Sequence, residues 1–170
     1  RKPMDWTAEK AWEADQELDS WANILSVDPE VLEHAAAGEG APDSSVVEAL
    51  SDDLNTSLAL MRLRKLASFV NNSSEFRALD EASQIKRRVD FCASAKLLGF
   101  DLVPMANSRR QEGLSLARYE VLLSEARAEA SATKDYSAVD ALKSALIDAG
   151  VEVRMSKEGV NLVPGPDFDP

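Results

Sequence analysis

The sequence predicts a mainly α-helical protein: an antiparallel helical bundle followed by a small unit of α-helix plus β-hairpin. Three observations carry this expectation. Apolar residues recur at helical spacing through most of residues 8–149. Cap residues and glycine stops bracket the periodic stretches. Only after Gly150 does the period change to two, in Val151-Glu152-Val153 and again in Val160-Asn161-Leu162-Val163.

The first helix is expected over Ala8 to about Leu25. Thr7 is a good N-cap, and Ala11, Ala14, Leu18, Trp21 and Leu25 form the apolar stripe. Trp6 is placed to staple against the first turns, and Trp12 joins the stripe beside Ala11, so both are expected in the core. Asp28-Pro29 opens a short helix through Val31, Leu32 and Ala35, which Gly38-Glu39-Gly40-Ala41-Pro42 breaks. His34 has no second His and no Cys beside it, and reads as a lone surface histidine.

Ser45-Val46-Val47-Glu48 fits a capping box, starting a helix to Leu50. A polar break over Ser51 to Thr56 precedes a long helix with Leu60, Leu63, Leu66, Ala67 and Val70 apolar. Asn71 to Ser74 reads as a loop. The next helix runs from Glu75 or Asp80 to Leu98, with Cys92 on its apolar face and Gly99 as the stop. Residues 101–113, with Pro104, Asn107, Ser108 and Gly113, are expected to be a loop and the boundary between residues 1–113 and 114–170. A helix then starts near Ser115, and Ser137 caps a last one through Val139, Leu142, Leu146 and Ala149. Lys157-Glu158-Gly159 makes the hairpin turn, and residues 165–170 are tail.

The chain has 170 residues and a net charge of −11. That charge lies wholly in residues 1–53, with 3 basic and 14 acidic residues; residues 54–170 are neutral. Within them, residues 62–88 carry a net +4 from Arg62, Arg64, Lys65, Arg77, Lys86, Arg87 and Arg88 against three carboxylates. Bulk acidity weakens non-specific attraction to nucleic acid, but a local basic face still binds phosphates. The plainer reading makes these charges solvated helix faces. Composition is ordinarily globular, with 45% apolar and 29% charged residues. One cysteine excludes internal disulfides and a thiolate-rich zinc site, and makes a reducing, cytoplasmic setting the expectation. No apolar run approaches a membrane span, and the first residues hold no signal-peptide core. The sequence opens on Arg1 rather than Met, as expected of a piece of a longer chain or a processed product.

Catalytic signatures are missing: no Gly-rich phosphate loop, no nucleophile elbow, no metal-ligand cluster. Asp52-Asp53 sits in a cap-rich loop, where carboxylates cap helices. Met155-Ser156-Lys157 after Arg154 matches part of a nucleotide-binding synthetase loop but lies in a hairpin turn, and reads as coincidence. The residues alone support a binding or scaffolding module.

Several motifs together resemble the C-terminal half of bacterial cysteinyl-tRNA synthetases. The most specific is Ala49-Leu50-Ser51-Asp52-Asp53-Leu54-Asn55-Thr56. Arg1 to Thr7, Ala95-Lys96-Leu97-Leu98-Gly99, Lys134-Asp135-Tyr136 with Val139-Asp140, Gly150-Val151-Glu152-Val153 and Glu158-Gly159-Val160 follow in family order, covering roughly residues 1–163. Departures are Ser131 where the family often has Arg, Lys143-Ser144 for an Arg–Asp pair, and Leu162 for a closing aromatic. Lysine holds a phosphate but lacks arginine's flat two-pronged fork.

The resemblance implies a helical bundle of the class I synthetase anticodon-binding type over residues 1–113, contacting the tRNA body, and an anticodon-recognition unit over 114–170. It implies that cysteine, ATP and the thiol-selecting zinc are handled by an N-terminal catalytic domain absent from this sequence, which itself would be inactive and hold no cofactor. Arg62, Arg64, Lys65, Arg87 and Arg88 would then track the tRNA backbone. Arg127, Lys134, Lys143, Arg154, Lys157 and Asn161 would serve the anticodon, with Asp135 and Asp140 fixing the helices that carry them. The implied partners are cysteine-specific tRNA and that catalytic domain, with no membrane. Two other readings stay open: a non-enzymatic acidic helical module that binds protein, and the anticodon-binding domain of another class I synthetase.

Overall fold

The computed structural model describes residues 5–156, 159–165 and 168. Among these the order is α1 (Ala8–Ser26), α2 (Pro29–Ala37), α3 (Ser44–Ser51), α4 (Thr56–Asn72), α5 (Ser74–Arg77), α6 (Glu81–Leu97), α7 (Leu102–Thr133), α8 (Ser137–Asp148), β1 (Val151–Met155) and β2 (Val160–Pro164). The mainly α class with a closing hairpin is as the sequence predicts. The chain divides into two compact units, residues 1–109 and 110–170, and the division falls within α7.

The first unit is a bundle of α1 to α6 with the start of α7. Leu25, Val31, Leu63, Phe91 and Leu102 are fully buried at its centre. Trp21 meets Phe91 and Phe100 edge-on, with ring centres 6.1 and 5.5 Å away. Helix starts follow the cap rule: Thr7, Asp28, Asn55 and Asp80 each accept a backbone N–H from the first turn. The 38–43 strap is bound to α6. Ala41 N–H donates to Asp90 at 3.0 Å, and Asp43 N–H to the buried Ser94 hydroxyl at 2.8 Å. Gly40 lies so close to α6 that a Cβ there would stand 2.4 Å from the Val89 carbonyl oxygen, so only glycine fits.

The second unit packs α8 and the hairpin on the later part of α7. Leu116, Leu123 and Ala130, spaced by seven, form the α7 side of its core, with Val139, Leu146, Val151 and Leu162 opposite. The strands are antiparallel, pairing Val151 with Pro164 and Arg154 with Asn161. The Leu162 N–H donates to the Glu120 carboxylate at 2.7 Å, tying β2 to α7.

Six expectations are corrected. Residues 102–113 are helix, not loop: Pro104 sits in the first turn, where its missing N–H has no intrahelical partner to lose, and Gly113 is tolerated at about 1 kcal/mol. Ser115 is therefore inside a helix rather than at its start. Trp6 and Trp12 are 70% and 64% exposed, so neither is a core aromatic. Helix α3 is capped by Asp43 rather than Ser45, because the Asp43 carboxylate reaches the Ser45 N–H at 2.9 Å. The N-cap of α8 is Tyr136 rather than Ser137, and the Ser137 N–H and hydroxyl donate to the Asp135 carboxylate that precedes it. The loop expected over Asn71 to Ser74 shrinks to Ser73, which ends α4 and caps α5.

Candidate nucleic-acid interface

In the bundle the predicted cations fall into two groups. Three are held by the fold. Arg62 donates to the Ser45 carbonyl at 2.8 Å and lies 3.4 Å from Glu48, bracing α4 to α3. Arg64 grips Glu17 on α1, which raises its already high pKa. Arg88 lies over the Phe76 ring, 5.3 Å from its centre. Lys65 and Arg87 are exposed and carry no ion pair among the described residues. A +4 segment thus presents only part of its charge. An open groove of about 890 Å³ along α4 is lined by Met61, Lys65, Leu66 and Phe69 among others.

In the second unit two of the candidates, Arg154 and Asn161, lie on the strands of the hairpin, and Arg127 on α7 bonds to its backbone. Arg154 and Asn161 are directly cross-strand and exposed, on the face opposite buried Leu162. Arg127 reaches from α7 to the Ser156 carbonyl at 2.7 Å. Arg154 also pairs with Glu152 at 3.0 Å, which pulls the Glu152 pKa down. Lys157 lies outside the described residues. Lys134 stands at the α7–α8 corner with φ of 63°, and Lys143 is half-buried on α8; neither bonds to the hairpin among the described residues.

Asp135 turns that corner by accepting from the Ser137 N–H and hydroxyl, which lowers its pKa. It is structural, as the resemblance allowed. Beside it Tyr136 is 47% exposed, an aromatic next to a cation that sequence reasoning left out of the site. The adjacency Lys134-Asp135-Tyr136 was the available signal.

Other chemistry is accounted for within the fold. Burial pushes the Cys92 thiol up to about 11, which makes it a core side chain rather than a nucleophile. His34 is held by Glu39 at 2.6 Å and Glu30 at 3.6 Å. Among the described residues no group of His, Cys, Asp and Glu could hold a metal ion, and no helix is long and apolar enough to cross a membrane. Asp53 and Leu54 both take left-handed backbone, with φ of 51° and 53°, and Leu54 is 74% exposed.

Relatives cover the whole chain. It is 42% identical over 170 residues to a cysteine–tRNA ligase of Paracoccus denitrificans, across 99% of the chain and 31% of that protein. A cysteine–tRNA ligase of Ruegeria sp. is 41% identical and one of Jannaschia sp. 40% identical, each across 99% of the chain and 32% of the relative. The chain thus spans about a third of the length of the curated relatives it matches. No family model matches it, and no solved structure does.

Proposed function

We propose that this chain, related over its whole length to a third of the cysteine–tRNA ligases, is the tRNA-holding part of such an enzyme. Activation of cysteine with ATP, and selection of its thiol by zinc, fall to the remaining two-thirds. The bundle touches the tRNA body through Lys65 and Arg87, and the second unit reads the anticodon. The observation that carries the reading is the 42% identity across 99% of the chain. It is supported by Arg154 and Asn161 standing opposite each other across the strands, and by Arg127 holding the Ser156 carbonyl just beyond β1.

Unpaired anticodon bases are read by stacking and by hydrogen bonds to their edges, while phosphates are held by cations. Asn161 supplies both a donor and an acceptor. Arg127 and Arg154 supply cations, and Tyr136 supplies an exposed ring. Arg127 places the hairpin end as well as contacting RNA, because its guanidinium already holds the Ser156 carbonyl.

The test is a salt titration of the chain binding a cysteine tRNA transcript, beside one with an altered anticodon. Binding that weakens steeply with salt and is lost with the altered anticodon supports both assignments. Anticodon-blind binding leaves only the tRNA-body role. Absence of binding, in this chain and in a full-length relative, transfers the weight to the protein-interaction reading. The acidic first 53 residues and the exposed Trp6 and Trp12 favour that second reading.

A further inference from the structure

Strand alternation divides the hairpin into two faces. Val151, Val153 and Met155 of β1 pack on the core of the second unit, which leaves Glu152 and Arg154 on the outward side. On β2, Asn161 stands opposite Arg154 and Val163 opposite Glu152. Glu152 takes Arg154 with both its oxygens: Nε donates to one and Nη2 to the other, each at 3.0 Å. This is the flat two-pronged pairing of a guanidinium with a carboxylate.

Both side chains are well exposed, so the pair adds little to stability. Its consequence lies in what it leaves unspent. A guanidinium has five N–H donors, and Glu152 takes two. The other three are held in the plane that the fork fixes. Across the strands, the Asn161 amide offers donors and an acceptor, with no bond of its own among the described residues. The charges of Glu152 and Arg154 cancel, so a phosphate, which is held by net positive charge, gains little from this face. The edge of an unpaired base is uncharged and needs donors and acceptors at fixed places, which this face supplies.

We infer that Glu152 is a positioning residue for base recognition: it turns Arg154 from a phosphate contact into a fixed set of donors for the edge of an unpaired base, beside Asn161. The inference rests on the anticodon-reading role proposed for the second unit. Without Glu152, Arg154 swings to the nearest phosphate and strengthens binding of every tRNA alike. With it, Arg154 favours the matching base.

The test measures binding of a cysteine tRNA transcript, and of one with an altered anticodon, to the 170-residue chain over a range of salt. In Glu152→Gln the salt slope is expected to steepen by about 0.7, the value for one single-strand phosphate contact. Preference for the unaltered anticodon should fall by about two- to fivefold, the scale of one exposed charge pair. Arg154→Lys keeps the charge without the fork and should lose preference as well. Adding Glu152→Gln to Arg154→Gln should change neither slope nor preference. All these residues lie outside the core, so far-UV circular dichroism should stay the same. A parent chain that prefers the unaltered anticodon, with slope and preference unmoved by Glu152→Gln, overturns the inference and leaves the anticodon role standing. The same gain in the Arg154→Gln background also overturns it, since Glu152 would then act only by repelling RNA. A parent chain that binds both transcripts alike, or neither, removes the anticodon role itself and this inference with it.

Discussion

The guanidinium of Arg64 lies flat against the carboxylate of Glu17, with Nε to Oε1 at 2.6 Å and Nη2 to Oε2 at 2.7 Å. Sequence spacing puts Arg64 in a basic segment facing a polyanion. The fold gives it instead to α1, 47 residues earlier.

Releasing that cation should be measurable. Glu17→Gln is expected to lower stability by only about 0.2–1 kcal/mol, because the pair is partly exposed. If Arg64 then reaches a phosphate, the salt slope of tRNA binding steepens by about one unit. An unchanged slope would remove Arg64 from the backbone-contacting set. Lys65→Ala, by contrast, should flatten the slope in the parent protein.

His34 makes bundle stability depend on pH. The Glu39 carboxylate, with Glu30 behind it, raises the pKa of His34 above its ordinary 6.5. A raised folded-state pKa contributes stability fully below about pH 6.5 and loses it as pH climbs through the folded value. The melting temperature should therefore fall between pH 6 and pH 8 more in the parent protein than in His34→Gln. Equal profiles would show that the contact adds nothing.

Ser94 is fully buried, accepting the Asp43 N–H and donating to the Asp90 carbonyl. Ser94→Ala leaves the strap N–H without that acceptor and should cost about 1–3 kcal/mol in urea unfolding. Gly40→Ala drives a Cβ into the Val89 carbonyl and should destabilise by a similar amount or more. A loss below 0.5 kcal/mol in both, the usual range of surface changes, would show that the strap is not fixed to α6.

The tryptophans should separate cleanly. Trp21→Ala empties a core position and should cost about 3–5 kcal/mol. Trp6→Ala and Trp12→Ala should stay within about 0.5 kcal/mol. Large losses from either would place them back in the core.

Legibility followed the locality of the signal. Thr7, Asp28 and Gly38, and the hairpin after Gly150, were readable because each acts within a few residues. The start of α7 was not. Pro104 and Gly113 are breakers by composition, and only position within the first turn, or packing of Leu102 and Ala106 in the core, overrides them. Trp6 and Trp12 failed for a related reason: helical periodicity places a residue on a stripe without saying how far the neighbouring helices extend to cover it. At the candidate site the sequence supplied the cations but not their partners. Glu17, Glu48 and Phe76 are far along the chain from, or unrelated in type to, what a charge count registers.

The Glu120–Leu162 bond has a consequence for how the protein behaves in a crowded solution. A two-stranded hairpin leaves strand edges whose N–H and C=O groups can template another chain. In β2 the Leu162 N–H is already taken by a carboxylate from α7, which also sets a negative charge beside the strand. A second strand approaching along β2 meets an occupied donor and a charge it cannot pair with. The helix that supports the hairpin thus also shields this edge from sheet growth, so the Arg154–Asn161 face can stay exposed while that route to fibrils is obstructed.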